Sequence, residues 1–173
     1  MGGTIEVESE EGKGTRFIMK FSFSVSLENQ VREKEKQNIP DITEKLKGKR
    51  ILLAEDNDLN AEIAETVLVE AGIEVKRVED GLQCIEELKK MPENYYDVIL
   101  MDVQMPNMDG YTATQRIRDL DDSRAEIPII AMTANAYDED RRKAQEAGMD
   151  GFLAKPLDVD EMMRLLGKIT KTE

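Results

Sequence analysis

The feature that most constrains the fold is a series of five short apolar segments, each followed by a longer segment with helical periodicity. Short apolar runs of this kind are typical of strands that are buried on both faces of a parallel sheet. We therefore predict an α/β fold, with a doubly wound, five-stranded parallel sheet and helices on both of its faces. In the first predicted helix, Leu59, Ile63 and Val67 form the apolar stripe. The predicted strands are residues 50–54, 73–78, 97–101, 127–132 and 151–154.

The charge of the chain limits its partners. The 173 residues have a formal net charge of −13, and residues 49–173 alone carry 16 basic and 28 acidic side chains. This balance argues against binding to nucleic acid or to an anionic membrane surface, because both need a basic face. An apolar share of 40% is enough for a packed core, so global disorder is not expected.

Histidine is absent, and cysteine occurs once, at Cys84. The chain therefore has no Ser-His catalytic pair, no histidine metal ligand and no phosphohistidine of its own. A single cysteine cannot form an internal disulfide and suits a reducing compartment. Neither a signal peptide nor a bilayer-spanning apolar run is recognisable. We predict a cytoplasmic location, which also allows a longer parent protein to be anchored in the inner membrane.

Polar side chains follow four of the five predicted strands. Glu55 and Asp56 come after the first strand, Asp102 after the third, Thr133 after the fourth and Lys155 after the fifth. Each residue alone has an ordinary explanation, as a helix cap or a solvated loop residue. However, the carboxyl ends of parallel strands meet at one edge of the sheet, where α/β proteins bind their ligands. Together these residues predict a functional site.

The chemistry of this set favours a cation and a phosphoryl group. Crowded carboxylates repel one another and raise one another's pKa unless a cation neutralises them. Mg²⁺ prefers oxygen ligands and binds through few carboxylates together with phosphate. An aspartate can act as a nucleophile and form an acyl phosphate, with an ammonium and a hydroxyl on the phosphoryl oxygens. We therefore predict magnesium-dependent phosphoryl chemistry at this edge.

Four segments of residues 49–171 form a specific combination: 51–57 (ILLAEDN), 98–110 (VILMDVQMPNMDG), 130–134 (IAMTA) and 151–156 (GFLAKP). With these segments, residues 49–171 resemble the receiver domain of response regulators in bacterial two-component systems. The resemblance implies a flavodoxin-like sheet with strand order 2-1-3-4-5. Asn57, Asn60 and the segment 133–136 look most like receivers that belong to hybrid sensor histidine kinases.

The resemblance also implies a role for each site residue. Asp102 would be the phosphoacceptor, and the phosphoryl group would come from the phosphohistidine of a kinase or phosphotransfer domain. Thr133 and Lys155 would bind phosphoryl oxygens, and Phe152 would be the switch aromatic. The Lys155–Pro156 peptide would be cis. Mg²⁺ would be held by Asp56, Asp102, the backbone carbonyl of Gln104 and, largely through water, Glu55.

Residues 1–17 (MGGTIEVESEEGKGTRF) contain a glycine-rich turn with Gly12, Gly14 and Thr15 between two predicted strands. With this pattern, residues 1–27 resemble the C-terminal hairpin of a histidine-kinase ATPase domain. The resemblance implies that Gly12, Gly14 and Thr15 are its last glycine box, as a vestigial ATP site that is not functional alone. Residues 28–48 are mostly charged and polar, and are predicted to be a linker. We therefore predict that the chain is a fragment of a hybrid sensor histidine kinase and has no kinase activity of its own.

The predicted hairpin would carry a bare apolar face. Phe17, Met19, Phe21 and Phe23 alternate along its second strand, predicted at residues 15–25, and an isolated hairpin is marginal in water. We predict that two chains form a homodimer through this face. Docking of the hairpin on its own receiver and disorder of the hairpin are the alternatives.

Three other functions agree with parts of the pattern. A stand-alone response regulator that acts by protein contact would have the same site. A phosphatase of the haloacid dehalogenase type also uses an aspartate nucleophile, but it needs a second aspartate two residues later, where this chain has Gln104. A flavodoxin-like cofactor binder needs a phosphate loop rich in Ser, Thr or Gly after the first strand. The acidic residues 55–58 occupy that place here.

Overall fold

The computed structural model describes residues 3–10, 12, 14–21, 39–134 and 138–170. The chain divides into two compact units, Met1–Glu35 and Lys36–Glu173. Within the described ranges, none of the helices combines the length and the apolar character that crossing a lipid bilayer requires.

The first unit contains the predicted hairpin. Its antiparallel strands pair Ile5 with Met19 and Val7 with Phe17. These four side chains share one face, and each is more than half exposed. Residues 22–25, which complete the predicted second strand and include Phe23, lie outside the described residues. The strands are β1 (Gly3–Glu10) and β2 (Gly14–Phe21).

The second unit is built on a five-stranded sheet in which every pair of neighbouring strands is parallel. The spatial order is β4-β3-β5-β6-β7, which is the predicted order 2-1-3-4-5 counted within this unit. All residues of the central strand β5 are buried, as its uninterrupted apolar sequence indicates. The predicted fold class is confirmed. The strands are β3 (Arg50–Ala54), β4 (Glu74–Val78), β5 (Val98–Asp102), β6 (Ile129–Thr133) and β7 (Gly151–Ala154).

Helices cover both faces of this sheet and give it two apolar cores. One core contains side chains from α3, α4 and α5, and the other contains side chains from α1, α2 and α6. Four of the helices begin at Asn57, Asp80, Asp109 and Asp158, whose side chains accept a hydrogen bond from a backbone amide of the first turn. The helices are α1 (Ile39–Leu46), α2 (Asp58–Glu70), α3 (Gly81–Lys90), α4 (Gly110–Arg118), α5 (Asp138–Ala147) and α6 (Val159–Ile169).

Only one residue of the apolar stripe predicted for α2 contacts the core: Val67 is half-buried and packs against it. Leu59 is 66% exposed and Ile63 is 50% exposed, whereas the buried residues of this helix are Ala61, Ala64 and Leu68. Small alanine side chains allow α2 to lie close to the sheet. Leu59 and Ile63 therefore remain on the solvent side and form an exposed apolar stripe.

The second half of the predicted linker is also not a linker. Residues 39–46 form α1, which belongs to the same compact unit as the sheet. Leu46 is fully buried, and Ile42 packs against α6 so closely that a Cβ at Gly167 would lie 2.8 Å from Ile42 Cγ2. The compact unit that contains the sheet therefore begins before residue 49, and Ile42 and Leu46 connect this short helix to it.

This docking can be tested at Leu46. We expect Leu46→Ala to lower the free energy of unfolding by about 2–5 kcal/mol, because it removes a fully buried leucine side chain. Leu59→Ala is the matched control, since Leu59 is mostly exposed, and should cost less than about 0.5 kcal/mol. Urea unfolding of both variants measures the difference. Equal costs would mean that α1 does not contribute to the core.

Candidate functional site

Three carboxylates meet at the carboxyl ends of β3 and β5. Glu55 and Asp56 follow β3, and Asp102 is the last residue of β5. One oxygen from each of the three groups can be chosen so that all three atoms lie within 4.8 Å of one another. Glu55 and Asp102 are buried, whereas Asp56 is exposed. An all-oxygen set of this size could hold a metal ion.

Lys155 links two of these carboxylates. Its Nζ donates to Asp102 Oδ2 at 2.6 Å and to Glu55 Oε2 at 2.5 Å. Lys155 follows β7, its backbone amide donates to the carbonyl oxygen of Thr133 at 2.7 Å, and the Lys155–Pro156 peptide is cis, as predicted. The Lys155 side chain is 16% exposed, so the surrounding water screens these ion pairs only weakly.

The hydrogen bonds of Glu55 fix its orientation. Glu55 Oε2 accepts from Lys155, and Glu55 Oε1 accepts from Asn60 Nδ2 at 3.0 Å. Asn60 lies in the first turn of α2, and its backbone amide donates to the side chain of the capping residue Asn57. The two asparagines singled out in the sequence therefore have structural functions: one begins the helix, and the other holds a buried carboxylate.

Asp102 is surrounded by groups that act on its charge in opposite directions. Burial raises the pKa of Asp102 above its ordinary value, and the nearby Glu55 carboxylate adds to this effect. The hydrogen bond and charge of Lys155 lower the pKa but do not fully offset the burial, even with a further bond from the Gln104 amide to Asp102 Oδ1 at 3.0 Å. Such a carboxylate gains from any cation that approaches it.

The loop between Asp102 and α4 is held by two close contacts. A Cβ at position 110 would lie only 2.2 Å from the Asp102 carbonyl oxygen, so only glycine fits where α4 begins. Asn107 has a left-handed backbone conformation (φ 58°), and its Nδ2 donates to Asp80 Oδ2 at 2.8 Å. Burial raises the pKa of Asp80, but hydrogen bonds from Gln83 and Asn107 outweigh it and lower the pKa below its ordinary value.

Asp80 and Asn107 were missed in the sequence analysis. The sequence signal for Asn107 was the Pro-Asn pair in a turn, where asparagine tolerates a positive φ. For Asp80 the sequence indicates only an N-cap. Its second function is to accept the hydrogen bond from Asn107, which lies 27 residues further along the chain. Together the two residues position the loop that contains Gln104.

The remaining predicted residues of this site lie nearby in the sheet. Thr133 is buried at the end of β6. Phe152 on β7 is half-buried against the core, and the Arg141 guanidinium lies 4.2 Å from the centre of its ring. An arginine over an aromatic face is a favourable but modest contact. The ring therefore has a partner on α5 in this conformation.

The predicted glycine box lies in the other compact unit. Gly12 and Gly14 both have a positive φ in the turn of the hairpin, and Thr15 Oγ1 lies 2.9 Å from Ser9 Oγ across it. Open space surrounds both glycines, since an added Cβ would have no described atom within 4 Å. Their assignment as the remnant of an ATP site stays a prediction.

Residues 51–167 match the family model of the response regulator receiver domain, and the chain belongs to this family. It is 40% identical over 124 residues to the peroxide stress-activated histidine kinase mak1 of Schizosaccharomyces pombe, and the aligned region covers 70% of this chain and 8% of that protein. It is 39% identical over 116 residues to the sensor histidine kinase RcsC of Escherichia coli, and that aligned region covers 67% of this chain and 12% of that protein. The chain thus covers only a small part of these relatives.

Solved receiver structures have the same fold. The receiver domain of a sensor histidine kinase from Pseudomonas aeruginosa, which has a magnesium ion coordinated in its active site cleft, is 40% identical with a TM-score of 0.66. The match covers 72% of this chain and 99% of that one. A second similar structure is the receiver domain of Ssk1 in complex with the histidine phosphotransfer protein Ypd1, from Saccharomyces cerevisiae. It is 26% identical with a TM-score of 0.66, over 72% of this chain and 90% of that one.

The environment of Asp102 predicts a pH-dependent stability. Because the folded protein raises its pKa, the contribution of Asp102 to the free energy of unfolding is fully present below the pKa of the unfolded aspartate. It is lost as the pH rises through the folded-state pKa. At pH 7 without metal, Asp102→Asn should therefore raise the melting temperature by a few degrees, or about 1 kcal/mol.

Thermal melts of Asp102→Asn and wild type from pH 3 to pH 8 check this prediction. The difference should shrink towards acid pH. Asp121→Asn, at an exposed aspartate, should change nothing. A loss of stability at pH 7 in Asp102→Asn would mean that the Lys155 ion pair outweighs the cost of burial.

Proposed function

We propose that Asp102 accepts a phosphoryl group from a phosphohistidine, and that this chain is the receiving module of a phosphorelay within a hybrid sensor histidine kinase. The observation that carries the proposal is the buried Asp102 carboxylate, bound through one oxygen to Lys155 and crowded by Glu55 and Asp56. A carboxylate oxygen of Asp102 would attack phosphorus while the bond from phosphorus to the histidine nitrogen breaks. The imidazole nitrogen would keep the electron pair of that bond.

The other residues of the site suit this transfer. The Lys155 ammonium already contacts Asp102 and can follow a phosphoryl oxygen that is bound there. The buried Thr133 hydroxyl would bind a second oxygen. Glu55 keeps Lys155 at this place in the absence of the phosphoryl group. This division leaves the third phosphoryl oxygen for a metal ion.

The donor set fits Mg²⁺. Asp56, Asp102 and the backbone carbonyl of Gln104 would be direct ligands, with Glu55 acting largely through water. All are oxygen donors, and Asp56 and Gln104 are exposed, which leaves room for water ligands. When bound, the ion would neutralise the charge that develops on the transferring phosphoryl group.

A small phosphodonor tests the proposal. Incubation with acetyl phosphate and Mg²⁺ should add one phosphoryl mass to the wild type, and Asp102→Asn should gain none. Asp109→Asn is the matched control, because asparagine preserves the N-cap of α4 and removes an exposed carboxylate from the same loop. It should label like the wild type. Intact mass spectrometry measures all three. Labelling of Asp102→Asn, or undiminished labelling in EDTA, would contradict the proposal.

A conformational signal would pass through Thr133 and Phe152. A phosphoryl group on Asp102 would draw the Thr133 hydroxyl inward and open space behind it for the Phe152 ring. That movement would break the contact of the ring with Arg141. Phosphorylation would thereby bias the surface formed by α5, β7 and α6 between two states.

The partner would dock on the exposed apolar stripe of α2, which Leu59 and Ile63 define. Helix α2 begins two residues after Asp56, so this stripe adjoins the site that a phosphodonor must reach. Asp58 and Glu62 flank the stripe and are exposed. A phosphohistidine-bearing protein with an apolar patch and a basic rim would fit this surface. That choice agrees with the complex of a similar receiver and a histidine phosphotransfer protein.

The stripe can be separated from the chemistry by mutation. Leu59→Gln combined with Ile63→Gln should lower the rate of transfer from a histidine phosphotransfer protein that labels the wild type by roughly tenfold or more. Labelling by acetyl phosphate should not change. Val69→Gln is the control, since Val69 is 59% exposed in the last turn of the same helix. Equal transfer rates in the variants and the wild type would rule out this docking surface.

The assignment of residues 1–27 to the end of a kinase ATPase domain is part of the same proposal. Both the exposed apolar face of the hairpin and the membership of similar receivers in histidine kinases support it. The chain would then be cytoplasmic and would have no kinase activity of its own. A homodimer through the hairpin and a bacterial source stay predictions.

A further inference from the structure

Arg77 makes three contacts to the loop that holds the first two carboxylates. It lies on β4, the edge strand, which supplies no carboxylate to the metal cluster. Its Nε donates to the carbonyl oxygen of Glu55 at 3.2 Å, and its Nη2 donates to the carbonyl oxygen of Asp56 at 3.4 Å. The same Nη2 lies 2.7 Å from Asp58 Oδ1. One guanidinium thus contacts Glu55, Asp56 and Asp58.

The contacts to the two carbonyl oxygens matter more than the ion pair. The Asp58 side chain is 92% exposed, and an ion pair with so exposed a partner contributes little to stability. The Arg77 side chain itself is only 22% exposed. The planar guanidinium presents its donors in a fixed fork, so it can hold two successive carbonyl groups in one relative orientation.

The loop needs this support at Asp56. The Glu55 side chain is held by Asn60 and Lys155, and its backbone amide donates to the Val78 carbonyl oxygen at 3.0 Å. In the described parts of the chain, no side chain donates a hydrogen bond to the Asp56 carboxylate. Its direction therefore depends on the backbone at residues 55–57, which Arg77 and the N-terminus of α2 fix between them.

We infer that Arg77 is a positioning residue of the metal site: it holds the backbone of Glu55 and Asp56 so that the Asp56 carboxylate faces Asp102. The inference rests on the proposed function, in which Mg²⁺ binds to these carboxylates. It assigns a function to the strand next to the site, which provides neither ligand nor phosphoacceptor.

The positive charge of Arg77 and its hydrogen bonds to the backbone should have opposite effects on Mg²⁺ affinity, so the direction of the change distinguishes them. A positive charge beside a cation site repels the cation, so removing the charge alone would tighten Mg²⁺ binding. Losing the hydrogen bonds to the backbone would have the opposite effect, because the Asp56 ligand would no longer be held in place. Mutation of residues that orient metal ligands typically lowers metal affinity 10–100-fold.

The experiment is a Mg²⁺ titration of the full chain, followed by NMR amide shifts or by calorimetry. Arg77→Met and Arg77→Lys should both weaken Mg²⁺ binding, by roughly tenfold. Lysine keeps the charge but cannot bridge two carbonyl groups with one ammonium. Lys76→Met is the matched control, because Lys76 is exposed on the same strand and its side chain points to the opposite face. It should bind Mg²⁺ with wild-type affinity.

Two further readouts separate positioning from a general loss of structure. Urea unfolding should show a folded protein in each variant, and labelling by acetyl phosphate should recover when the Mg²⁺ concentration is raised about tenfold. Wild-type or tighter Mg²⁺ binding in Arg77→Met would overturn the inference. Wild-type Mg²⁺ binding in Arg77→Lys would also overturn it, because a positive charge without the guanidinium fork would then be enough to hold the loop. If the wild type itself fails to bind Mg²⁺, the proposed function fails instead.

Discussion

The ion pair of Lys155 with Asp102 and Glu55 is the interaction on which the site depends. Without it, two buried carboxylates would repel each other with no opposite charge between them. With it, the charge of Asp102 is only partly compensated, since burial still raises its pKa. A further cation near Asp102 would therefore stabilise the charged carboxylate of the residue that is proposed to carry a phosphoryl group.

The sheet provides the framework for this arrangement. Glu55 follows β3 and Asp102 ends the adjacent strand β5, while Lys155 reaches both from the end of the edge strand β7. Its backbone amide donates to the Thr133 carbonyl oxygen, so the hydrogen bonds between β6 and β7 continue as far as Lys155. In the proposed switch, a movement of the Thr133 backbone would therefore be transmitted to Lys155.

The sequence predicted the sheet and the core of the site for related reasons. Uninterrupted apolar runs such as 98–101 have few alternatives to a buried parallel strand, and the order of the strands followed from the resemblance to receivers. Glu55, Asp102 and Lys155 could be grouped because the ends of parallel strands must lie at one edge. Only the position of each residue relative to its strand matters for this grouping, and short strands define that position to within one or two residues.

Other features depend on packing that a sequence pattern does not contain. In α2 the spacing of Leu59 and Ile63 suggested the buried face, but Ala61, Ala64 and Leu68 are the residues that pack in the core. In α1 two apolar residues did not stand out among charged neighbours. Arg77 acts on backbone carbonyl groups, which every residue possesses, so no pairing of side chains could have indicated it.

The most direct measurement is a crystal structure of the chain with Mg²⁺ and beryllium fluoride, which mimics a phosphoryl group on a carboxylate. The account predicts beryllium bound to a carboxylate oxygen of Asp102, with one fluorine at Lys155 Nζ, one at Thr133 Oγ1 and one at the metal ion. Beryllium on Glu55 or Asp56, or an Asp102 that remains bound to Lys155 with no beryllium, would contradict the account.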